Sequence, residues 1–210
     1  MRFEILNINQ LTAAEYAAVL SKQPLSEQAR LNSLRPDDRK RSLAARFLAE
    51  KLAAEVYGRG NFAADFAENG APQADFCCLS FSHAGEYAAC AVADRPVGID
   101  IEPSVSFKKR EKYLLFSAAE TRFVNKSESP VGSFYTLWTM KEAYIKAAGK
   151  KLADAAKTEL VSGGADGVLR SDGSAGKAEP GGILKTEFDG FRFTTRVFEN
   201  YYIAVCEKLH

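Results

Sequence analysis

The chain has 210 residues, 46% hydrophobic and 26% charged, with a net charge of +1. That balance is ordinary for a folded protein and excludes disordered and fibrous classes. It also lacks the basic excess that marks a nucleic-acid binder, so no nucleic-acid partner is expected.

Met1 to Ile8 mixes short apolar and polar residues and reads as a first strand. The first ten residues lack the basic start and apolar run of a secretory signal. No stretch approaches the ~18 uninterrupted apolar residues of a membrane helix, so no membrane partner is expected. Pro36 to Tyr57 is helical: Leu43, Phe47, Leu48, Leu52 and Val56 recur at steps of three and four. Asp37 and Asp38 suit its start, and Gly58 supplies a stop.

Phe76 to Phe81, Tyr87 to Ala93 and Val97 to Ile101 read as three strands, with Asp94-Arg95-Pro96 as a turn, and together predict a meander. Phe107 to Lys126 holds one or two short helices, with Ser117 as a cap before Ala118. Val131 to Ala148 is a second long helix closed by Gly149. Ser162 to Gly182 is rich in Gly, Ser and Ala and suits exposed turns. Phe191 to Phe198 and Tyr201 to Cys206 flank Glu199-Asn200 as a hairpin. This order suggests an α+β fold. The four cysteines, Cys77, Cys78, Cys90 and Cys206, have no C-x-x-C spacing and read as reduced core residues of a cytoplasmic protein.

Three clusters carry candidate chemistry. Asp100 and Glu102 lie two apart on a strand, so both carboxylates share one face while Ile99 and Ile101 point into a core. Two such acids suit a cation with oxygen-only ligands, Mg²⁺ rather than zinc, although alone they also fit a solvated acidic edge. Trp138, Glu142 and Lys146 step by four along the second long helix and line one stripe. Taken alone, Glu142 and Lys146 read better as an ordinary helical ion pair, and Trp138 as a core anchor. His83, after a strand and before Gly85, can offer a ring N–H to a phosphate. A Ser82–His83 hydrolase dyad is disfavoured, because neighbours on a strand diverge. Arg30, Arg35, Arg39, Lys40, Arg41 and Arg46 crowd the entry to the first long helix and could grip phosphate.

The ordered set is more specific than its parts. It runs from Ser82-His83, through Gly98-Ile99-Asp100-Ile101-Glu102 and Phe116-Ser117-x-x-Glu120, to Trp138-Thr139-Met140-Lys141-Glu142-Ala143-Tyr144-Ile145-Lys146-x-x-Gly149-Lys150. It resembles the Sfp-type 4′-phosphopantetheinyl transferase superfamily. The upstream helix with Ala45-Arg46-Phe47-Leu48 fits the same family, so the resemblance covers about Arg30 to Lys151.

The resemblance implies two similar α/β halves, 1–103 and 104–210, in one compact enzyme with the active site between them. It implies magnesium-dependent transfer of phosphopantetheine from coenzyme A to a serine of an apo acyl or peptidyl carrier protein, releasing adenosine 3′,5′-bisphosphate. Asp100, Glu102 and Glu142 would hold Mg²⁺. His83 would bind the diphosphate, Arg46 the 3′-phosphate, Lys141 would lie near the adenosine end, and Ser82 would be a further coenzyme contact. Lys146 would contact phosphate, with Arg30 and Arg35 as further coenzyme contacts. Asp100, Glu142 and Lys146 would be the catalytic set, Glu142 or a water it orients taking the serine proton. Ala71 and Ala84 stand where the family often has a lysine and a hydroxyl. Lys108-Lys109-Arg110 is an expected docking patch for an acidic carrier. With both half-sites in one chain, a monomer would suffice.

Overall fold

The computed structural model describes residues 1–67, 70–104, 115–162 and 182–210, together with the backbone of a short strand pair at 168–169 and 175–176. In chain order the main elements are β1 (Arg2–Asn7), α1 (Ala13–Ser21), α2 (Leu25–Asn32) and α3 (Pro36–Tyr57). Then come β2 (Asp65–Phe66), β3 (Pro72–Gln73), β4 (Cys78–Ala84), β5 (Tyr87–Ala93), β6 (Val97–Pro103), α4 (Ala118–Lys126) and α5 (Pro130–Ala148). Five two-residue strands follow: β7 (Val161–Ser162), β8 (Val168–Leu169), β9 (Ala175–Gly176), β10 (Ile183–Leu184) and β11 (Glu187–Phe188). The closing hairpin is β12 (Phe191–Phe198) and β13 (Tyr201–Lys208).

Two antiparallel sheets are packed between two long helices. The first has the order β1-β5-β4-β3-β2, and the second β11-β12-β13-β6. α3 lies across β5, β1 and β4, and α5 lies across β6 and β13. Strand alternation sorts the side chains into layers. On β5, Cys90 and Val92 meet Leu48, Ala49 and Leu52 of α3. Its other face presents Tyr87, Ala89, Ala91 and Ala93 to Ile99 and Ile101 of β6 and to Tyr201, Ile203 and Val205 of β13. A strand buried on both faces needs small or apolar residues throughout, and Tyr-Ala-Ala-Cys-Ala-Val-Ala meets that need. On the outer face of the second sheet, Ala204 and Cys206 pack with Leu137, Met140, Ala143 and Tyr144 of α5.

The long helices form where expected, and Gly58 and Gly149 close them with φ of 68° and 63°, a left-handed geometry that glycine adopts freely. Ser117 caps α4 in a reciprocal box with Glu120.

The expected meander is not one. β4 and β5 form a hairpin, but the next strand leaves that sheet: Val97–Glu207 through Pro103–Tyr201 are partners in the second. Hydrogen bonding thus places residues 97–103 in the second sheet, beside β13. The outward amides of edge strand β6 are met across the gap by β4 hydroxyls. Ile99 N–H donates to Ser80 Oγ at 3.0 Å, and Ile101 N–H to Ser82 Oγ at 3.3 Å. These bonds satisfy an edge that would otherwise be an open template.

Gly98 sets how closely α5 sits on β6. A Cβ there would stand 1.9 Å from the Ala143 carbonyl oxygen and 2.7 Å from the Ala147 amide nitrogen, both helix backbone. Gly98→Ala must therefore push the helix off the strand. The expected cost is about 1–3 kcal/mol of overpacking, read as a lower melting temperature and reduced activity. An unchanged melting temperature would show that the seam is looser than described. The expected Lys108-Lys109-Arg110 patch lies outside the described residues.

Candidate active site

The site grows from the α5–β6 seam. Asp100 and Glu102 alternate toward α5, while Ile99 and Ile101 are buried against the first sheet. The helix runs antiparallel to the strand, so residues two turns apart meet acids two residues apart. Trp138 Nε1–H donates to Glu102 Oε1 at 3.1 Å. Lys146 Nζ donates to Asp100 Oδ1 at 2.8 Å and to the Ile99 carbonyl at 2.9 Å. Glu142 lies one turn from each, on the stripe between them.

Asp100 is the most constrained of the acids, with 6% of its surface exposed. Its Oδ1 accepts from Ser82 Oγ–H at 2.8 Å as well as from Lys146. Burial pushes its carboxyl above the usual range, Lys146 and Ser82 pull it back, and Glu102 adds a smaller push upward. Its Oδ2 is buried with no hydrogen-bond partner among the described residues. An orphaned carboxylate oxygen is costly unless something binds it. With Glu102 on the same strand face and Glu142 on the facing helix, the donor set is oxygen-only and fits a hard divalent cation. Among the described residues, though, no three His, Cys, Asp or Glu side chains converge closely enough to form a finished metal cage.

Beyond Lys146 a cleft of about 360 Å³ opens, walled by Arg30, Ser42, Arg46, Phe66, Phe81, Ser82 and His83. Five expected coenzyme contacts therefore share one cavity: Arg30, Arg46, Ser82, His83 and Lys146. Lys146 and Pro72 also border a neighbouring cleft of about 520 Å³ that includes Ala71, Gln73 and Asp75. A larger cavity of about 670 Å³ between α1, α2 and α3 is bordered by Arg39 and Lys40 but by none of the residues expected to hold the metal or the coenzyme.

Arg46 is buried within the wall. Its guanidinium stacks 4.6 Å from the Phe66 ring centre, donates to the Ser42 carbonyl at 2.8 Å and pairs with Glu27. Burial pushes its pKa down to about 10, with Glu27 opposing. His83 projects from the end of β4 with its ring accessible. Crowding by neighbouring atoms, then the charge of Arg41 and to a smaller extent of Lys146, lowers its pKa below the ordinary histidine value. Arg41 itself holds the adjoining turn, donating to the Gly85 carbonyl at 2.8 Å.

Two expected contacts are not brought to the cleft. Lys141 has a fully buried side chain whose ammonium pairs with Glu120 Oε2 at 2.7 Å. It also donates to the carbonyls of Leu115, Ala155 and Thr158 at 2.9, 2.7 and 2.6 Å. All three of its hydrogens are thus committed within the protein, away from the cleft. Arg35 has a side chain 89% exposed, paired with Asp38 outside the cleft. Sequence reasoning missed Glu27 and Phe66. Glu27 had a local signal, its i,i+3 spacing to Arg30; Phe66 sits on a two-residue strand and had none.

Among the described residues no helix is long and apolar enough to cross a membrane. A family model described as the 4′-phosphopantetheinyl transferase superfamily matches residues 96–206. The chain is 30% identical over 184 residues to a 4′-phosphopantetheinyl transferase of Bacillus subtilis, covering 81% of this chain and 75% of that one. It is 35% identical over 129 residues to 4′-phosphopantetheinyl transferase gsp of Aneurinibacillus migulanus, covering 59% and 54%. Against 4′-phosphopantetheinyl transferase Sfp of Bacillus subtilis strain 168 the identity is 32% over 84 residues, 39% of this chain and 36% of the relative. The matched part thus spans about half the length of the Aneurinibacillus relative.

Proposed function

The chain belongs to the 4′-phosphopantetheinyl transferase superfamily, and from that membership we propose that it moves phosphopantetheine from coenzyme A to a serine of an apo carrier protein. The observation that supports this best is the Asp100–Ser82–Lys146 cluster, opening onto the basic cleft of Arg46 and His83. Phosphoryl transfer asks for positioning and charge neutralisation more than for covalent chemistry, and these residues supply both. Arg46 grips the 3′-phosphate and His83 with Ser82 the diphosphate. Lys146 stabilises charge on the transferring group. Glu142 accepts the serine proton as the oxygen attacks the β-phosphorus, with adenosine 3′,5′-bisphosphate leaving. Asp100, Glu102 and Glu142 would hold Mg²⁺, whose contribution when bound is to neutralise the coenzyme diphosphate. One copy carries every group named here, so the proposed active form is a monomer, working in the cytoplasm.

The test is release of adenosine 3′,5′-bisphosphate, quantified by chromatography. Release that requires an apo carrier with its serine, and that stops when EDTA removes the metal, supports transfer. Release without any carrier would make the protein a hydrolase of the coenzyme instead.

The histidine gives a pH prediction. In the free protein the lowered His83 pKa keeps its ring neutral near pH 7. A diphosphate beside it favours the imidazolium and raises that pKa. Coenzyme A binding is therefore expected to take up a proton between the free and bound pKa values, and affinity to fall as pH rises through the bound one. Calorimetry in buffers of different ionisation enthalpy reads this directly, and His83→Ala should abolish the uptake. Binding without proton uptake in the native protein would remove His83 from the diphosphate site.

A further inference from the structure

Two arginines in the wall of the basic cleft, Arg30 and Arg46, share a charge that the coenzyme reading does not use. Glu27 of α2 accepts from Arg30 Nε–H and Nη2–H, both at 2.7 Å, in a bidentate fork. Its Oε1 also accepts from Arg46 Nη2–H. One carboxylate therefore occupies donors of both arginines in the free protein. Hydrogen bonds from Arg30, then the charges of both arginines, hold the Glu27 carboxyl below the usual range, so it stays ionised.

The arginines are not equivalent. Arg46 has a 4% exposed side chain and is stacked on Phe66, so it cannot swing away. Its Nε is buried with no hydrogen-bond partner among the described residues, an unmet donor that calls for a further acceptor. Arg30 has a 53% exposed side chain and, among the described residues, is held by the fork to Glu27. An anion entering beside Arg46 can take the unmet Nε–H, but it meets the charge of a carboxylate already bound to both guanidinium groups, and a phosphate monoester itself carries about −1.5 to −2 near neutral pH.

We propose that Glu27 is an internal competitor for the coenzyme 3′-phosphate and sets how strongly the site prefers coenzyme A over its 3′-dephospho form; this rests on the coenzyme reading of the Arg46 cleft. With Glu27 in place, the two guanidinium charges are partly cancelled before the ligand arrives. The ligand must then either displace the carboxylate from Arg30 and Arg46 or bind beside a like charge. Both losses apply to the 3′-phosphate alone. They compress the preference for coenzyme A without touching the diphosphate contacts at His83 and Lys146.

The experiment is calorimetric binding of coenzyme A and of 3′-dephospho-coenzyme A to the native protein, Glu27→Gln and Arg46→Ala. Glu27→Gln is expected to raise the affinity ratio of the two ligands by about tenfold in favour of coenzyme A, since a like charge beside the phosphate is removed. Glu27→Ala, which removes the fork altogether, should move the ratio the same way and serves if the glutamine variant does not fold. A ratio that is unchanged or falls would overturn the proposal, a fall meaning that Glu27 positions the arginines instead of competing with the phosphate. Arg46→Ala separates this from the underlying reading. It should lower the ratio toward one, and a ratio unmoved by Arg46→Ala would mean that the cleft does not hold the 3′-phosphate at all.

Discussion

Asp100→Asn is expected to lower phosphopantetheine transfer by about 10³-fold, while the melting temperature stays the same or rises. The amide keeps the shape of the carboxylate and can still accept from Ser82 at Oδ1. What it loses is the charge opposite Lys146 and the acceptor character of the orphaned Oδ2. Burial already disfavours that charge in the folded state, so removing it relieves a strain on stability instead of creating one. Loss of activity without loss of fold is the signature of a residue that works on the ligand. The measurement is kcat/KM with coenzyme A and an apo carrier, alongside thermal unfolding. Near-native activity would remove Asp100 from the centre of the account.

Lys141→Met is expected to do the opposite, costing about 3–5 kcal/mol of stability because it strands a buried carboxylate. The two side chains of the Lys141–Glu120 pair are fully buried. Burial lowers the Lys141 pKa while Glu120 raises it. Glu120 also accepts from the Ser117 amide at 2.8 Å and from the Leu160 amide at 2.9 Å. The pair therefore ties the start of α4, the strand region at Leu160 and the middle of α5 together. At this chain length the cost corresponds to a fall of roughly 10 °C in melting temperature. The folded fraction should bind coenzyme A as the native protein does. A native melting temperature with weakened coenzyme binding would instead support the expected ligand role of Lys141.

Much of this architecture was legible in the sequence because it rests on local rules. The apolar steps from Leu43 to Val56 and the stops at Gly58 and Gly149 are set by helix periodicity and by left-handed glycine. The shared face of Asp100 and Glu102 follows from strand alternation alone. The route of β6 was not legible. Adjacent strands separated by Asp94-Arg95-Pro96 look like a meander whether the third pairs with its neighbour or with Tyr201–Glu207, a partner a hundred residues away. α1 and α2 were missed, since each is short and only Val19 and Leu31 in them are fully buried. At the site, the stripe of Trp138, Glu142 and Lys146 followed from helix spacing, but the strand it meets did not. Lys141 lies apart from that stripe because adjacent helix positions face about 100° apart: a lysine one residue from the stripe points into the core, where it pairs with Glu120. No spacing rule reveals that partner, which comes from a different helix.

The central claim is that this chain transfers phosphopantetheine to a carrier. Intact mass spectrometry of an apo acyl carrier protein, incubated with the protein, coenzyme A and Mg²⁺, tests it most directly. The account predicts a mass gain of one phosphopantetheine on the carrier, absent with EDTA and absent with Asp100→Asn. Folded protein that binds coenzyme A yet adds no mass to any of several unrelated apo carriers would contradict it.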